Sequence, residues 1–189
     1  MPHRIEFTDK NGKGTGRFRI WCSPQEIHDL LTVGATSSDQ RIILTLLSRG
    51  LRASEAVKAN SETDMFRDAR GLILSVRGKG GKYREVPIPE TLANAKFPII
   101  RRGSPISTNT ALTWTKEAGE RIGIKNLSCH DLRRSFCQNA LRTVPSEMVR
   151  QWSGHSSQET FERHYISTND ISFQAFEREK LEKALSPDN

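Results

Sequence analysis

Apolar residues fall into a helical rhythm over most of this chain, broken once near the middle by strand-like alternation. Ser23-Pro24-Gln25-Glu26 announces a first helix: Ser caps it, Pro suits its opening turn, and Glu closes a capping box. Ile27, Leu30 and Leu31 then give it an apolar stripe. Asp39 to Ser48 reads as a second, largely buried helix stopped by Gly50. Gly71 to Val76 and Tyr83 to Pro89 are β-type runs joined by the glycine-rich turn Arg77-Gly-Lys-Gly-Gly-Lys82. Helical patterning resumes from Ser107 to Ile122, Cys129 to Leu141 and Pro145 to Trp152. The tail from Asp170 to Leu185 carries Ile171, Ala175 and Phe176 on one side, the pattern of an amphipathic helix. Residues 1 to 22 read either as a hairpin, Ile5 to Thr8 against Arg17 to Trp21, or as a basic arm. The fold class expected is α+β: a mostly helical domain with one small antiparallel sheet. Its divisions are an arm at 1–22, a core at 23–169 and a tail at 170–189.

Composition narrows the function. With 29 Lys and Arg against 22 Asp and Glu, the 189 residues carry +7 and an isoelectric point near 9.6. The basic residues cluster at Lys10 to Arg19, Arg77 to Arg84, Arg101 with Arg102, and Arg133 with Arg134. Such a domain favours a polyanionic partner through counterion release, although charge alone equally describes a solvated basic surface. Three cysteines, Cys22, Cys129 and Cys137, are an odd number without paired spacing, which argues against a disulfide framework and for a reducing compartment. A zinc site on Cys129, His130 and Cys137 has no second Cys or His pair to complete four ligands. The start has no apolar core of a signal peptide, and the longest apolar run, Ile42 to Leu47, is too short to span a bilayer. A soluble, cytoplasmic protein with no membrane contact, metal or cofactor is expected.

Four stretches carry candidate chemistry. In Ser128-Cys-His-Asp-Leu-Arg-Arg-Ser-Phe136, His130 and Arg133 stand three apart and leave one helix face together, where they could grip one phosphate. In Gly50-Leu-Arg-Ala-Ser-Glu55, Arg52 occupies a corner between helices, Ser54 could cap the second, and Glu55 is near enough to orient the guanidinium. The glycine turn brings Lys79 and Lys82, whose ammonium groups have a proton to give. Gly154-His155 is followed by Tyr165, one of two tyrosines and a nucleophile if cations stabilise its phenolate. Taken singly, each stretch reads more readily as ordinary structure: a solvated helix, a capping corner, a plain hairpin, half-buried packing.

Together, Arg52, Lys79, His130, Arg133, His155 and Tyr165 resemble the tyrosine recombinase (phage integrase) family. The Gly-Leu-Arg-Ala-Ser-Glu, Gly-Lys-Gly-Gly-Lys, His-Asp-Leu-Arg-Arg and Ser-Gly-His-Ser-Ser blocks stand in that family's order, over roughly residues 23 to 185. The resemblance implies the family's catalytic-domain fold and a site-specific DNA recombinase working through a 3′-phosphotyrosyl intermediate. It makes Tyr165 the nucleophile, Arg52 and Arg133 the phosphate clamp, Lys79 the general acid with Lys82 in reserve, His130 the base and His155 a phosphate donor. Glu55 supports the clamp, and Arg77, Lys82, Arg84 and Arg134 are expected to touch DNA. Partners implied are double-stranded DNA and further copies of the chain, a tetramer on DNA, with the tail helix docking onto a neighbour or folding back on its own core. Two departures stand out. Tyr165 lies ten residues after His155, where the family commonly has nine, a position held here by His164. The family's separate amino-terminal DNA clamp has no counterpart in these residues, so the sequence is expected to be either a catalytic fragment or similar to the family's short members that work as single-domain DNA invertases. A type IB topoisomerase-like nicking and closing activity, or a DNA-binding module with a degenerate site, are the rival readings.

Overall fold

The computed structural model describes residues 3–8 and 14–165. Its helices begin where side chains satisfy the free N–H groups of a first turn. Helix α1 (Pro24–Asp29) opens on a reciprocal box, Ser23 Oγ accepting from Glu26 N–H at 3.2 Å and Glu26 Oε2 accepting from Ser23 N–H at 2.8 Å. It runs on into a π-helical turn, Leu30–Gly34. Helix α2 (Ser38–Ser48) is capped by Ser37 and is the central helix, burying Ile43, Leu44, Leu46 and Leu47 completely. Each such side chain contributes roughly 1.5–3 kcal/mol by leaving water. Helix α3 (Ala53–Ala56) is a single turn, and the longer α4 (Thr108–Arg121) and α5 (Cys129–Ala140) start at Ser107 and Ser128. Helices α6 (Ser146–Ser153) and α7 (Gln158–Tyr165) complete the described chain.

The expected sheet is present and gains a strand. Strands β3 (Met65–Asp68), β4 (Gly71–Arg77) and β5 (Tyr83–Pro87) form one antiparallel sheet in that order, with Val76 opposite Arg84 and Arg77 opposite Tyr83. Strand β4 buries Leu72, Ile73, Leu74 and Val76, hence its nearly continuous apolar run. Strand β3 escapes pattern reading because only Met65 is partly buried and its other three residues are exposed. Two small ribbons are added: β1 (His3–Thr8) pairs with β2 (Gly14–Trp21), and β6 (Ile100–Arg101) with β7 (Ser104–Pro105). The β6–β7 reversal turns through Arg102 and Gly103, both at positive φ (51° and 77°), the conformation that matches strand twist in two-residue hairpins.

Residues 3–8 and 14–21 are thus paired strands, and β2 lies on α5. Ile20 N–H donates to Asp131 Oδ1 at 3.2 Å, and Cys22 N–H to Ser135 Oγ at 2.7 Å. Ile20 and Cys22 belong to the main core, which therefore continues across the division expected after residue 22. A second, smaller cluster gathers Cys137, Leu141, Val149, Phe161 and Tyr165 where α5, α6 and α7 meet. All three cysteines are buried thiols. Among the described residues no helix is long and apolar enough to cross a membrane, and no three His, Cys, Asp or Glu side chains gather as a metal site. The tail helix expected from residue 170 lies outside the described residues.

Candidate active site

Four segments converge on the C-terminal end of α6. Gly154 ends that helix in the left-handed conformation (φ 68°), so the chain turns sharply and His155 stands at the corner. Ser153 Oγ donates to Val149 O at 2.7 Å and lies 2.8 Å from His155 Nδ1. With the hydroxyl proton committed, Nδ1 is the donor of that contact. Its other nitrogen, Nε2, then accepts from Arg133 Nη2 at 3.4 Å, which assigns the Nδ1–H tautomer to the neutral ring.

Arg133 comes from the buried face of α5 and is only 2% exposed. Its Nη1 donates to Gly50 O, so the end of α2 fixes the guanidinium. Burial, reinforced by the nearby charge of Arg52, pulls its pKa down to about 10. It remains charged at neutral pH, a cation held in the interior with a second cation beside it. Electrostatically this end of the molecule favours an anion. His130, one turn earlier on α5, is exposed, so the two side chains expected to share a face stand at different depths.

Arg52 is half-exposed and is itself the residue that starts α3, not Ser54 as expected. The correction has a simple cause: Glu55, three residues on, accepts from Arg52 N–H at 2.7 Å and takes the capping role from the serine. Arg52 Nη1 donates to Glu55 Oε1 at 2.9 Å and Nη2 to Gly154 O at 3.1 Å, bridging to the His155 corner. Burial works to raise the Glu55 carboxyl, but hydrogen bonds from Arg84 and Arg52 outweigh it and hold it below its ordinary value. Two residues expected on DNA are committed inside the fold. Arg84 forks onto Glu55, and Arg134 Nη1 donates to Asp131 Oδ1 at 2.6 Å. Arg77 and Lys82 are exposed at the glycine turn. Lys79 opens the short turn Lys79–Gly81 between β4 and β5; its side chain lies outside the described residues.

Tyr165 reaches the same corner from α7. Its ring centroid is 5.4 Å from that of His155 and 5.0 Å from that of Phe161, one helical turn back. Phe161 is 1% exposed, so the extra residue between His155 and Tyr165 is absorbed in a helix whose inward face carries both rings. Tyr165 is 5% exposed, and its phenol donates to the Cys137 sulfur. Burial, with Cys137 adding to it, pushes the phenol up to about 12 against the opposing charges of Arg133 and Arg134. Arg52, Lys82, Tyr83, Arg150 and His155 line a cleft of about 920 Å³, and through His155 it adjoins buried Arg133 and Tyr165. The cleft is open and basic, with the buried Arg133 guanidinium behind His155, an arrangement suited to an extended phosphate backbone.

The sequence model of the phage integrase family matches residues 21–171. The chain belongs to the phage integrase family. Among curated relatives, the tyrosine recombinase XerA of Thermococcus kodakarensis is 30% identical over 180 residues, 85% of this chain and 63% of the relative. XerD of Mycobacterium tuberculosis is 31% identical over 158 residues, 71% of this chain and 50% of the relative. The chain thus spans between half and two thirds of the length of these relatives. A crystal structure of XerA recombinase superposes with a TM-score of 0.70 at 22% identity, covering 88% of this chain and 65% of that one. XerH site-specific recombinase bound to palindromic difH substrate, a post-cleavage complex, gives 0.69 at 16% identity, covering 94% and 60%. The fold is that of the phage integrase catalytic domain. Pattern reading of this integrase-family chain missed Ser153, Cys137 and the Arg84–Glu55 pair; the first two are small residues defined only by what packs on them.

Proposed function

We propose that this chain is the catalytic part of a site-specific DNA recombinase that cleaves and rejoins duplex DNA through Tyr165. The observation that carries the reading is the convergence of Arg52, Arg133, His155 and Tyr165 on one corner beside a basic cleft. In this mechanism the scissile phosphodiester lies in the cleft against Arg52 and Arg133, whose charge meets that growing on the non-bridging oxygens. Removing one such group costs on the order of 3 kcal/mol in the barrier. When the phosphate enters, His155, held by Ser153 at Nδ1, takes a second proton at Nε2, exchanges its contact with Arg133 for one with the phosphate, and donates from Nε2 to a non-bridging oxygen. The Tyr165 oxygen forms a bond to phosphorus while the bond to the 5′-oxygen breaks; His130 takes the phenol proton and Lys79 gives one to the leaving oxygen. Arg77 and Lys82 follow the flanking backbone. The phosphotyrosyl bond keeps the free energy of the original ester, so attack by another 5′-hydroxyl reverses the step. Exchange between two duplexes calls for several copies of the chain, working on DNA in the cytoplasm.

In the described arrangement the phenol faces Cys137, so α7 must shift for the oxygen to reach phosphorus. The test is a covalent-capture assay on nicked duplexes drawn from a DNA library. Wild type should yield a denaturation-resistant adduct through Tyr165, and Tyr165→Phe should bind the same DNA without forming one. An adduct through another residue, or none from wild type on any duplex it binds specifically, refutes the proposal. Plasmid relaxation without strand exchange would assign the topoisomerase-like activity instead.

A further inference from the structure

Arg84 has no part in the chemistry just described; it lines the same cleft, but all three of its guanidinium nitrogens are engaged by groups of the fold. It stands second in β5 and turns inward, its side chain only 11% exposed. Nη1 donates to Glu55 Oε1 at 2.9 Å and Nη2 to Oε2 at 2.7 Å, a two-pronged contact with a carboxylate that is itself 6% exposed. Nε donates to Trp152 O at 2.8 Å. The guanidinium also lies flat on Gly154: a Cβ there would stand 2.9 Å from Nε and 3.0 Å from both Cδ and Cζ. Arg52 shares the carboxylate and holds Gly154 O from the other side. One buried glutamate therefore joins the start of α3, the β4–β5 hairpin and the turn that sets His155.

Charge makes this more than bracing. Glu55 carries one negative charge divided between two guanidiniums, which leaves one positive charge uncompensated for an incoming phosphate. Without Arg84 the whole carboxylate would turn on Arg52 and cancel its charge where the proposed chemistry needs it. An exposed pair would do little of this, but here both partners are desolvated and the fork fixes their geometry. We propose that Arg84 is a positioning residue that sets the charge offered by Arg52 and the placement of the His155 corner without itself touching DNA. The proposal rests on the recombinase reading and adds a residue to it.

The experiment is single-turnover cleavage at saturating DNA, using the full chain and the duplex identified by adduct capture. Two versions of that duplex carry an ordinary scissile phosphodiester or an uncharged methylphosphonate at the same position. Arg84→Met should slow the phosphodiester reaction about 100-fold, with Kd and its salt dependence unchanged. The deficit should shrink at least about tenfold on the methylphosphonate, which develops less charge for Arg52 to meet. Arg84→Met/Glu55→Gln, which removes the carboxylate that would neutralise Arg52, should recover about tenfold on the phosphodiester. A bracing role alone predicts the same deficit on both substrates, and a DNA-contact role predicts weaker binding; either result overturns the proposal. If Arg84→Met does not fold, Arg84→Lys keeps the charge but cannot span both oxygens. It should then lose about tenfold in rate at unchanged Kd, and a wild-type rate would overturn the proposal. Wild type forming no adduct refutes the recombinase reading and this one with it; a wild-type adduct with an unimpaired Arg84→Met refutes this one alone.

Discussion

Substituting Gly50 by alanine tests how the end of α2 holds Arg133. Gly50 has φ +88°, and its carbonyl accepts from Arg133 Nη1. A Cβ at this position would stand 2.6 Å from Phe136 Cδ1 and 2.9 Å from Cε1, and Phe136 is on α5 one turn after Arg133. The left-handed backbone costs an L-residue about 1–2 kcal/mol. Crowding the ring adds about 1–3 kcal/mol, because Phe136 packs against the second core cluster and has little room to withdraw. The sum, about 2–5 kcal/mol, is a large part of the roughly 5–15 kcal/mol that holds a domain folded. Equilibrium urea denaturation should show the midpoint falling by on the order of 1–2 M at unchanged slope. The decisive control is the Phe136→Ala background, where the ring is gone and Gly50→Ala should cost only the backbone part, about 1–2 kcal/mol. Equal costs in both backgrounds would show that Cβ and ring do not meet, and a cost below about 0.5 kcal/mol would refute the conformational argument as well.

Two further outcomes concern the second cluster. Phe161→Ala should destabilise the fold by about 3–5 kcal/mol, read by the same denaturation, because the ring is 1% exposed among Cys137, Leu141, Val149 and Tyr165; a loss under about 1 kcal/mol would mean α7 is not seated there. In Tyr83→Phe, Tyr165 is the only tyrosine left, and tyrosinate absorbance followed with pH should rise around 12 rather than at the ordinary value of 10. The raised value means that the neutral phenol is favoured by the fold: this contribution is whole below pH 10 and is lost as pH climbs through 12. A midpoint near 10 while far-ultraviolet circular dichroism still shows folded protein would place the phenol in water.

The helices were legible because their starts are written in short polar signals. Ser23 with Glu26, Ser107 and Ser128 each stand where a first turn begins, and the Gly-rich turn sits between the two strands it was expected to join. Strand β3 was not legible, since an edge strand with three exposed residues lacks alternation. Helix α7 was not either, because among its described side chains Phe161 and Tyr165 alone mark an inward face. Residues Arg52, His155 and Tyr165 were found from their order along the chain and do converge. What spacing concealed was depth: His130 and Arg133 are three apart, yet one is exposed and the other is 2% exposed. Arg84 and Arg134 belong by charge to a basic surface, and only folded geometry reveals the carboxylates of Glu55 and Asp131 beneath them.

The bonds from β2 to α5 have a practical meaning for anyone shortening the chain. Asp131 accepts from Ile20 N–H, from Ser128 and from Arg134, and Ser135 accepts from Cys22 N–H; Asn139 reaches Cys22 O at 2.9 Å. Three successive turns of the helix that carries Arg133 are therefore splinted by one stretch of extended backbone. A protein begun at residue 23 would keep every side chain of the proposed reaction and lose the splint, so a dead truncation would say nothing about which residues do the chemistry.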